Sequence, residues 1–146
     1  MSMHQLCTFA IHGGLFGVEV RRVQEVLRHQ EITRVTLARR IIRGLINLRG
    51  QIVMAIDLRR ALELPELAEG ESMNLVVRGD EGPVSFLVDK IMDVIDVDES
   101  TFEPPPPNLH PPTRRIVRGS YTCGGRVLLL IDADAVLSLL ESSDER

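Results

Sequence analysis

The chain alternates short apolar runs with turn residues, and few runs are long enough to form a helix. Leu6–Ile11 is the first run, and Leu15–Val20 follows across the turn residues His12-Gly13-Gly14. Gln24–Leu27 is a third, weaker run, and Glu31–Val35 is a candidate fourth. Short runs rich in β-branched residues and bounded by turn chemistry predict strands. Thr36–Ile42 breaks this pattern and predicts a short helix, with Thr36 at its N-cap and Gly44 just past its end. Gly44–Leu48 and Gln51–Asp57 then predict a hairpin across Arg49-Gly50. Asp57 is placed to cap a second short helix, Leu58–Leu64, which Pro65 stops.

A polar, acidic connection over Glu66–Ser72 leads into a second half of similar texture. Met73–Arg78 and Pro83–Asp89 flank Gly79-Asp80-Glu81-Gly82, a hairpin signal. Ile91–Val97 alternates apolar and polar residues, as a half-buried strand does. Residues 101–112 read TFEPPPPNLHPP; prolines donate no ladder hydrogen bonds, so this stretch predicts an extended surface connection. Ile116–Cys123 and Arg126–Ile131 form a last hairpin over Gly124-Gly125, and Asp132 caps a terminal helix, Ala133–Leu140. The pattern amounts to about ten short strands in two runs of similar size. That fits small barrels or a sandwich rather than a βαβ sheet. No sequence repeat stands out, so any duplication lies in the strand pattern.

Composition agrees with a sheet protein. Aromatic residues make up 3% of the 146 residues and Trp is absent, so Val, Ile and Leu must build the core. A chain of this length buries about 68–70% of its unfolded surface and needs no staples. Cys7 and Cys123 are therefore expected as reduced thiols rather than a disulfide. No run approaches the roughly 20 apolar residues of a membrane span. The opening MSMHQLCTFA lacks the basic and then apolar stretch of a secretory signal. The expected location is the cytoplasm, without insertion into a membrane.

Charge is unevenly placed. Residues 19–60 hold ten arginines against four acids, a net of +6, while residues 61–104 carry a net of −10. Such polarity either steers charged partners or marks two solvated faces. The basic stretch contains no aromatic residue, which argues against nucleic acid as the partner. The signals of chemistry are also missing. None of His4, His12, His29 and His110 stands at metal-ligand spacing from another ligand. No glycine-rich phosphate loop precedes a helix, and no nucleophile elbow is present. The carboxylates Asp89, Asp93, Asp96, Asp98 and Glu99 fit the solvated face of an alternating strand and its exit. The expectation is a binding module with no metal and no cofactor, rather than an enzyme.

Four segments, in order, resemble the CheW family of chemotaxis coupling proteins. Val23-Gln24-Glu25-Val26 is similar to the family's VQEI-type strand. GLINLRGQIVMAID, residues 44–57, resembles its G-x-x-NLRG-x-I-x-P-x-x-DL hairpin, with Met54 where the family usually has proline. FLVDKIMDVIDV, residues 86–97, and the closing GRVLLLIDADAVL complete the match, which runs from about Phe9 to Leu140. The run Pro104–Pro107 departs from the family's less proline-rich loop.

The resemblance implies a mainly β fold of two five-stranded SH3-like barrels packed around a shared core, with short helices and a C-terminal helix. Barrel one is expected at 13–80 and barrel two at 1–12 plus 81–146, with the first strand crossing over to barrel two. It further implies a non-enzymatic adaptor between the cytoplasmic tip of methyl-accepting chemoreceptors and the regulatory domain of a CheA-type histidine kinase. Val23, Glu25, Gly44, Arg49 and Gly50 match family positions for receptor binding, and Glu25 is the expected partner of Arg49. Ile32, Val35 and Ile52 are candidates for the kinase contact. Two alternatives stay open: a related coupler of a non-flagellar pathway, serving surface motility or a second messenger, and, outside the family, a small β-barrel that binds RNA or a ligand.

Overall fold

Tight turns fold the apolar runs back on one another. The computed structural model describes residues 2–35, 39–68 and 71–141. Ten strands form among the described residues: β1 (Met3–Ile11), β2 (Gly14–Glu19), β3 (Val23–Leu27), β4 (Ile42–Leu48) and β5 (Gln51–Asp57), then β6 (Met73–Gly79), β7 (Gly82–Val88), β8 (Lys90–Asp98), β9 (Val117–Cys123) and β10 (Arg126–Ile131). Among the described residues three short α-helices accompany them, α1 (Leu58–Ala61), α2 (Pro111–Arg114) and α3 (Ala133–Ser138), with single 3-10 turns elsewhere. The β4–β5 turn is Arg49-Gly50 with φ of 52° and 89°, positive at both central positions as a primed hairpin turn requires. Asp57 and Asp132 cap α1 and α3 as expected. Asp57 accepts from the amides of Arg59 and Arg60, and Asp132 from that of Ala135.

The strands make two five-stranded sheets, ordered β3-β6-β7-β5-β4 and β8-β1-β2-β10-β9. The two orders are the same plan. In each, one antiparallel hairpin joins a second through a parallel pair, β5 with β7 and β10 with β2. In the second sheet the β1–β2 hairpin comes from the start of the chain and takes the place that β6–β7 holds in the first. The fold is thus a duplication with one copy circularly permuted. Sheet membership divides the chain differently from 13–80 and 1–12 plus 81–146. β2 lies with β1 in the second sheet, and β7 lies in the first. Both strands pair with distant partners, which no local pattern reports.

Each sheet curls until its edge strands nearly meet, but no continuous ladder closes it. A single bridge does so instead. Thr33, downstream of β3, exchanges two backbone hydrogen bonds of 2.8 Å with Leu45 of β4. Glu103, downstream of β8, does the same with Ser120 of β9 at 2.9 and 2.8 Å. Both bridges pass over a glycine. A Cβ on Gly44 would lie 2.3 Å from the Thr33 carbonyl oxygen, and one on Gly119 would lie 2.1 Å from the Phe102 ring. The expected five-stranded SH3-like units are therefore two curled, packed sheets with bridged seams.

Three apolar clusters hold these parts together. The largest is shared: Phe9, Phe16 and Val18 of the second sheet meet Ile56, Leu75, Phe86 and Val88 of the first, with Leu58 and Val136 from the helices. Fully burying one such side chain contributes roughly 1.5–3 kcal/mol. Ile46, Leu48, Val53, Val76 and Leu87 fill the first sheet, and Leu6, Val97, Tyr121, Leu128 and Leu130 fill the second. A polar knot joins the units beside the shared core. Arg59 of α1 donates through Nε and Nη2 to both oxygens of Asp89, at 2.8 and 2.5 Å, and through Nη1 to the Pro65 carbonyl at 2.6 Å. Asp89, between β7 and β8, also accepts from the His12 amide at 2.7 Å in the β1–β2 turn. Burial opposes the charge on Asp89, yet Arg59 and the His12 amide together bring its pKa below the ordinary value.

Some local expectations change. The helix expected over Thr36–Ile42 partly lies outside the described residues. Within them, 39–41 form a turn and Ile42 already starts β4, because Gly44 is needed inside the strand rather than after a helix. The run 31–35 contributes one bridge rather than a strand. The 101–112 connection is less extended than expected: Glu103 supplies a ladder donor where the prolines cannot, and Pro111-Pro112 open α2, where a helix needs no amide.

Gly44→Ala is expected to destabilise the protein by about 2 kcal/mol or more, because backbone must move, whereas Gly50→Ala, a strained turn with open space around it, costs about 1 kcal/mol. Urea unfolding of the two variants measures the difference; equal small losses would mean that the seam tolerates opening. Asp89→Asn is expected to cost about 2 kcal/mol at pH 7 by removing the carboxylate that Arg59 grips with two donors. The folded pKa of Asp89 is depressed, so this stabilisation is present above the unfolded carboxylate pKa of about 3.9 and fades as pH falls through the folded value. The stability gap between the unsubstituted and the Asp89→Asn proteins, followed by unfolding from about pH 7 to about pH 3, should narrow only toward the acid end.

Candidate functional site

Arg49 sits at the tip of an apolar hairpin because the turn carries it to the seam of the first sheet. Asn47 shapes that turn, its side-chain oxygen accepting from the Gly50 amide at 2.8 Å. From the turn Arg49 reaches back to Glu25 on β3. Nη1 donates to Oε1 at 3.0 Å, and Nη2 pairs with Oε2. β3 and the β4–β5 hairpin belong to opposite edges of the sheet, so the fork clamps the seam near the Thr33 bridge. Planar bidentate geometry fixes the carboxylate's direction as well as its position. The hydrogen bond from Arg49 lowers the pKa of Glu25, and the one to Glu25 raises that of Arg49, so both stay charged. The Arg49 side chain is 66% exposed. Water alone could satisfy it, yet it is held in one direction.

The other residues expected in this region divide into two kinds. Gly50 occupies open space beside Arg49, and its requirement is the positive φ of the turn. Gly44 is buried, and the chain that approaches it closely is this protein's own, at Ile32 and Thr33. Val23 opens β3, is partly buried and packs on the shared core. Of the apolar candidates, Ile52 and Val35 face solvent at 61% and 41% exposure, while Ile32 is partly buried on the cluster that fills the first sheet. Ile52 lies across the hairpin from Asn47. Sequence reasoning passed over Val26, which is 46% exposed on β3 next to Glu25. Its sequence signal was partial: Val26 alternates with Glu25 and so points to the opposite face of the strand, but only the sheet order makes β3 an edge.

Much of the basic stretch is used inside the fold. Arg43 donates to Asp57 at 2.8 Å, and Arg60 pairs with Glu66 at 3.2 Å, a contact that lowers the pKa of Glu66. With Arg59 on Asp89, three of the ten arginines thus meet acids through contacts that also position α1. Cys7 and Cys123 are free, and burial raises the pKa of both thiols. Among the described residues, no group of three His, Cys, Asp or Glu is placed to hold a metal ion, and no helix is long and apolar enough to cross a membrane. What the region offers is a rigid charged clamp beside exposed aliphatic side chains, an arrangement suited to gripping another protein.

Comparison with known proteins points the same way. The family model for the CheW-like domain matches residues 5–141. The chain is 33% identical over 134 residues to the chemotaxis protein CheW of Bacillus subtilis (strain 168), covering 91% of this chain and 86% of that protein. It is 28% identical over 131 residues to the chemotaxis protein CheW of Klebsiella aerogenes, covering 89% and 79%. The crystal structure of the scaffolding protein TtCheW from Thermoanaerobacter tengcongensis superposes with a TM-score of 0.79 at 26% identity, covering 89% of each chain. A match across nearly the whole chain, in sequence and in fold, means that this protein belongs to the CheW-like family.

Proposed function

We propose that this protein is a non-enzymatic adaptor in chemotaxis signalling that joins the cytoplasmic tip of a chemoreceptor to the regulatory domain of a CheA-type histidine kinase. The observation that carries the reading is the Arg49–Glu25 fork. It is exposed and bidentate, and it stands on a turn that the seam holds rigid. A pair that served the fold alone would gain little from such exposure. Held in one geometry, it presents a fixed polar rim next to aliphatic surface, the arrangement by which an amphipathic helix is gripped in a groove. Glu25, Arg49 and Gly50 form the receptor-facing surface in this reading. Gly44 and Val23 support it from beneath, one by letting the seam close and the other by anchoring β3 on the shared core. Ile52 and Val35 supply an apolar contact for the kinase, with Ile32 backing them from the sheet interior. Placement in the cytoplasm, at receptor arrays, follows from those partners.

Arg49→Ala and Glu25→Ala are each expected to weaken binding to a soluble receptor-tip fragment about tenfold while the melting temperature and the affinity for the kinase regulatory domain stay unchanged. The double variant should lose little more than either single one, because removing one partner already releases the other. Titrations against both fragments measure this. Equal losses for receptor and kinase, or additive losses, would remove the fork from the interface. Ile52→Lys is expected to do the reverse, weakening the kinase regulatory domain by about tenfold or more and sparing the receptor tip. Unchanged kinase affinity in that titration would take Ile52 out of the contact.

A further inference from the structure

Because the two sheets share one plan, their seams can be compared position by position. The bridge and ladder registers pair Ile32 with Phe102, Ile46 with Tyr121, Leu87 with Glu19 and Asn74 with Leu6. In the first sheet this place is filled. Ile46 and Leu87 are buried, Ile32 packs on their cluster, and Asn74 is satisfied by Ser85 and the Arg28 carbonyl. In the second sheet the same place is a cavity of about 300 Å³. Its floor is Leu6, Leu130 and Tyr121, at 1%, 4% and 4% exposure. Phe102 stands over the floor with its ring centroid 5.4 Å from that of Tyr121. The Phe102 ring lies against Gly119, in space that a side chain there would fill.

Polar groups gather at the mouth of this cavity. Glu19 stands where the first sheet has leucine, and it is shared by two guanidiniums, Arg118 at 3.1 Å and Arg21 at 3.3 Å. One carboxylate cannot use all the donors of two arginines, and both side chains are open to solvent, at 47% and 74% exposure. His4 pairs with Glu99 at 2.8 Å on the other side. The Tyr121 ring is largely buried, and its hydroxyl, with no hydrogen-bond partner among the described residues, is open to solvent at the cavity. Burial, with Glu99 and Glu19 nearby, raises its pKa, so it stays a donor.

An apolar floor asks for an apolar body, and unused guanidinium and phenol donors ask for an anion. We infer that the cavity between β8 and β9 binds a small monocarboxylate with a leucine- or phenylalanine-sized apolar body. The body would lie on Leu6, Leu130 and Phe102, and the carboxylate would take the free donors of Arg118 and the Tyr121 hydroxyl. At about 300 Å³ the cavity lies at the small end of ligand pockets, which run from about 300 to 1,000 Å³. The same chemistry can arrive as a free acid or as the last residue of a protein chain. The site is on the other sheet from the Arg49–Glu25 fork and does not depend on it.

Nitrogen-15-labelled full-length protein titrated with N-acetylphenylalanine, up to about 20 mM, tests the inference. Amide shifts are expected at Leu6, Phe102, Tyr121 and Leu130, with the carboxamide of the same probe binding at least about fivefold more weakly. Arg118→Gln, a change at a solvent-facing side chain, should erase the preference for the acid while leaving the melting temperature in place. Tyr121→Phe keeps the ring and should weaken the acid more than the amide. A peptide ending in free phenylalanine that binds more tightly than the single acid would assign the site to a chain terminus, and equal or weaker binding would assign it to free acids. Absence of shifts around the cavity, equal binding of acid and amide, or an unchanged preference in the Arg118→Gln protein would overturn the assignment.

Discussion

The close passage of backbone over Gly44 and Gly119 is the constraint on which the rest of this structure depends. At both places the chain leaving one edge strand forms a two-bond bridge with the opposite edge, directly over a residue with no side chain. Without the bridge, each sheet would keep an open seam between its edge strands, and open edges are prone to pairing with other chains. With it, each sheet curls around its own small apolar cluster. The outer faces then meet in one shared core that contains Phe9, Phe16, Phe86 and Val88. A methyl group at either glycine would force backbone apart.

Electrostatics follow the same geometry. The basic and acidic halves of the sequence look like two opposed faces, but several of their charges meet inside the fold. Arg59 on Asp89 and Arg60 on Glu66 tie a basic segment to an acidic one, and Asp89 in turn holds the His12 turn of the other sheet. The two arginines are largely covered, at 11% and 18% exposure, and these contacts position elements. Arg49 differs from them in being two-thirds exposed while still held by a two-pronged contact. Charges used to build the fold are covered, whereas this one is built by the fold and left on the surface. That contrast is the physical basis for reading it as partner-facing.

Most of the local structure was legible in the sequence. Turn chemistry at Arg49-Gly50 and Gly124-Gly125 marked the hairpins, and Asp57 and Asp132 marked the helix starts, because those residues act through their own backbone neighbourhood. The Glu25–Arg49 pair came from family resemblance, and the structure places the two side chains in contact. What was not legible is non-local. The assignment of β2 and β7 to sheets rests on parallel pairing with β10 and β5, and no short pattern encodes it. The role of Gly44 as a seam residue rather than a helix stop depends on the distant approach of Thr33. The duplication itself left traces, such as Asp57 matching Asp132 and Gly44 matching Gly119. Permutation hides them, because the copies begin at different elements.

Amide hydrogen exchange of the protein, free and then saturated with a receptor-tip fragment, tests the partner-facing reading of the first seam most directly. Added protection is expected in 23–27 and 47–51, the strand and turn that carry Glu25 and Arg49, with the shared-core strands slow in both states and residues 117–123 of the second seam unchanged. Protection confined to the second sheet, or a bound complex in which 23–27 and 47–51 exchange as in the free protein, would contradict it.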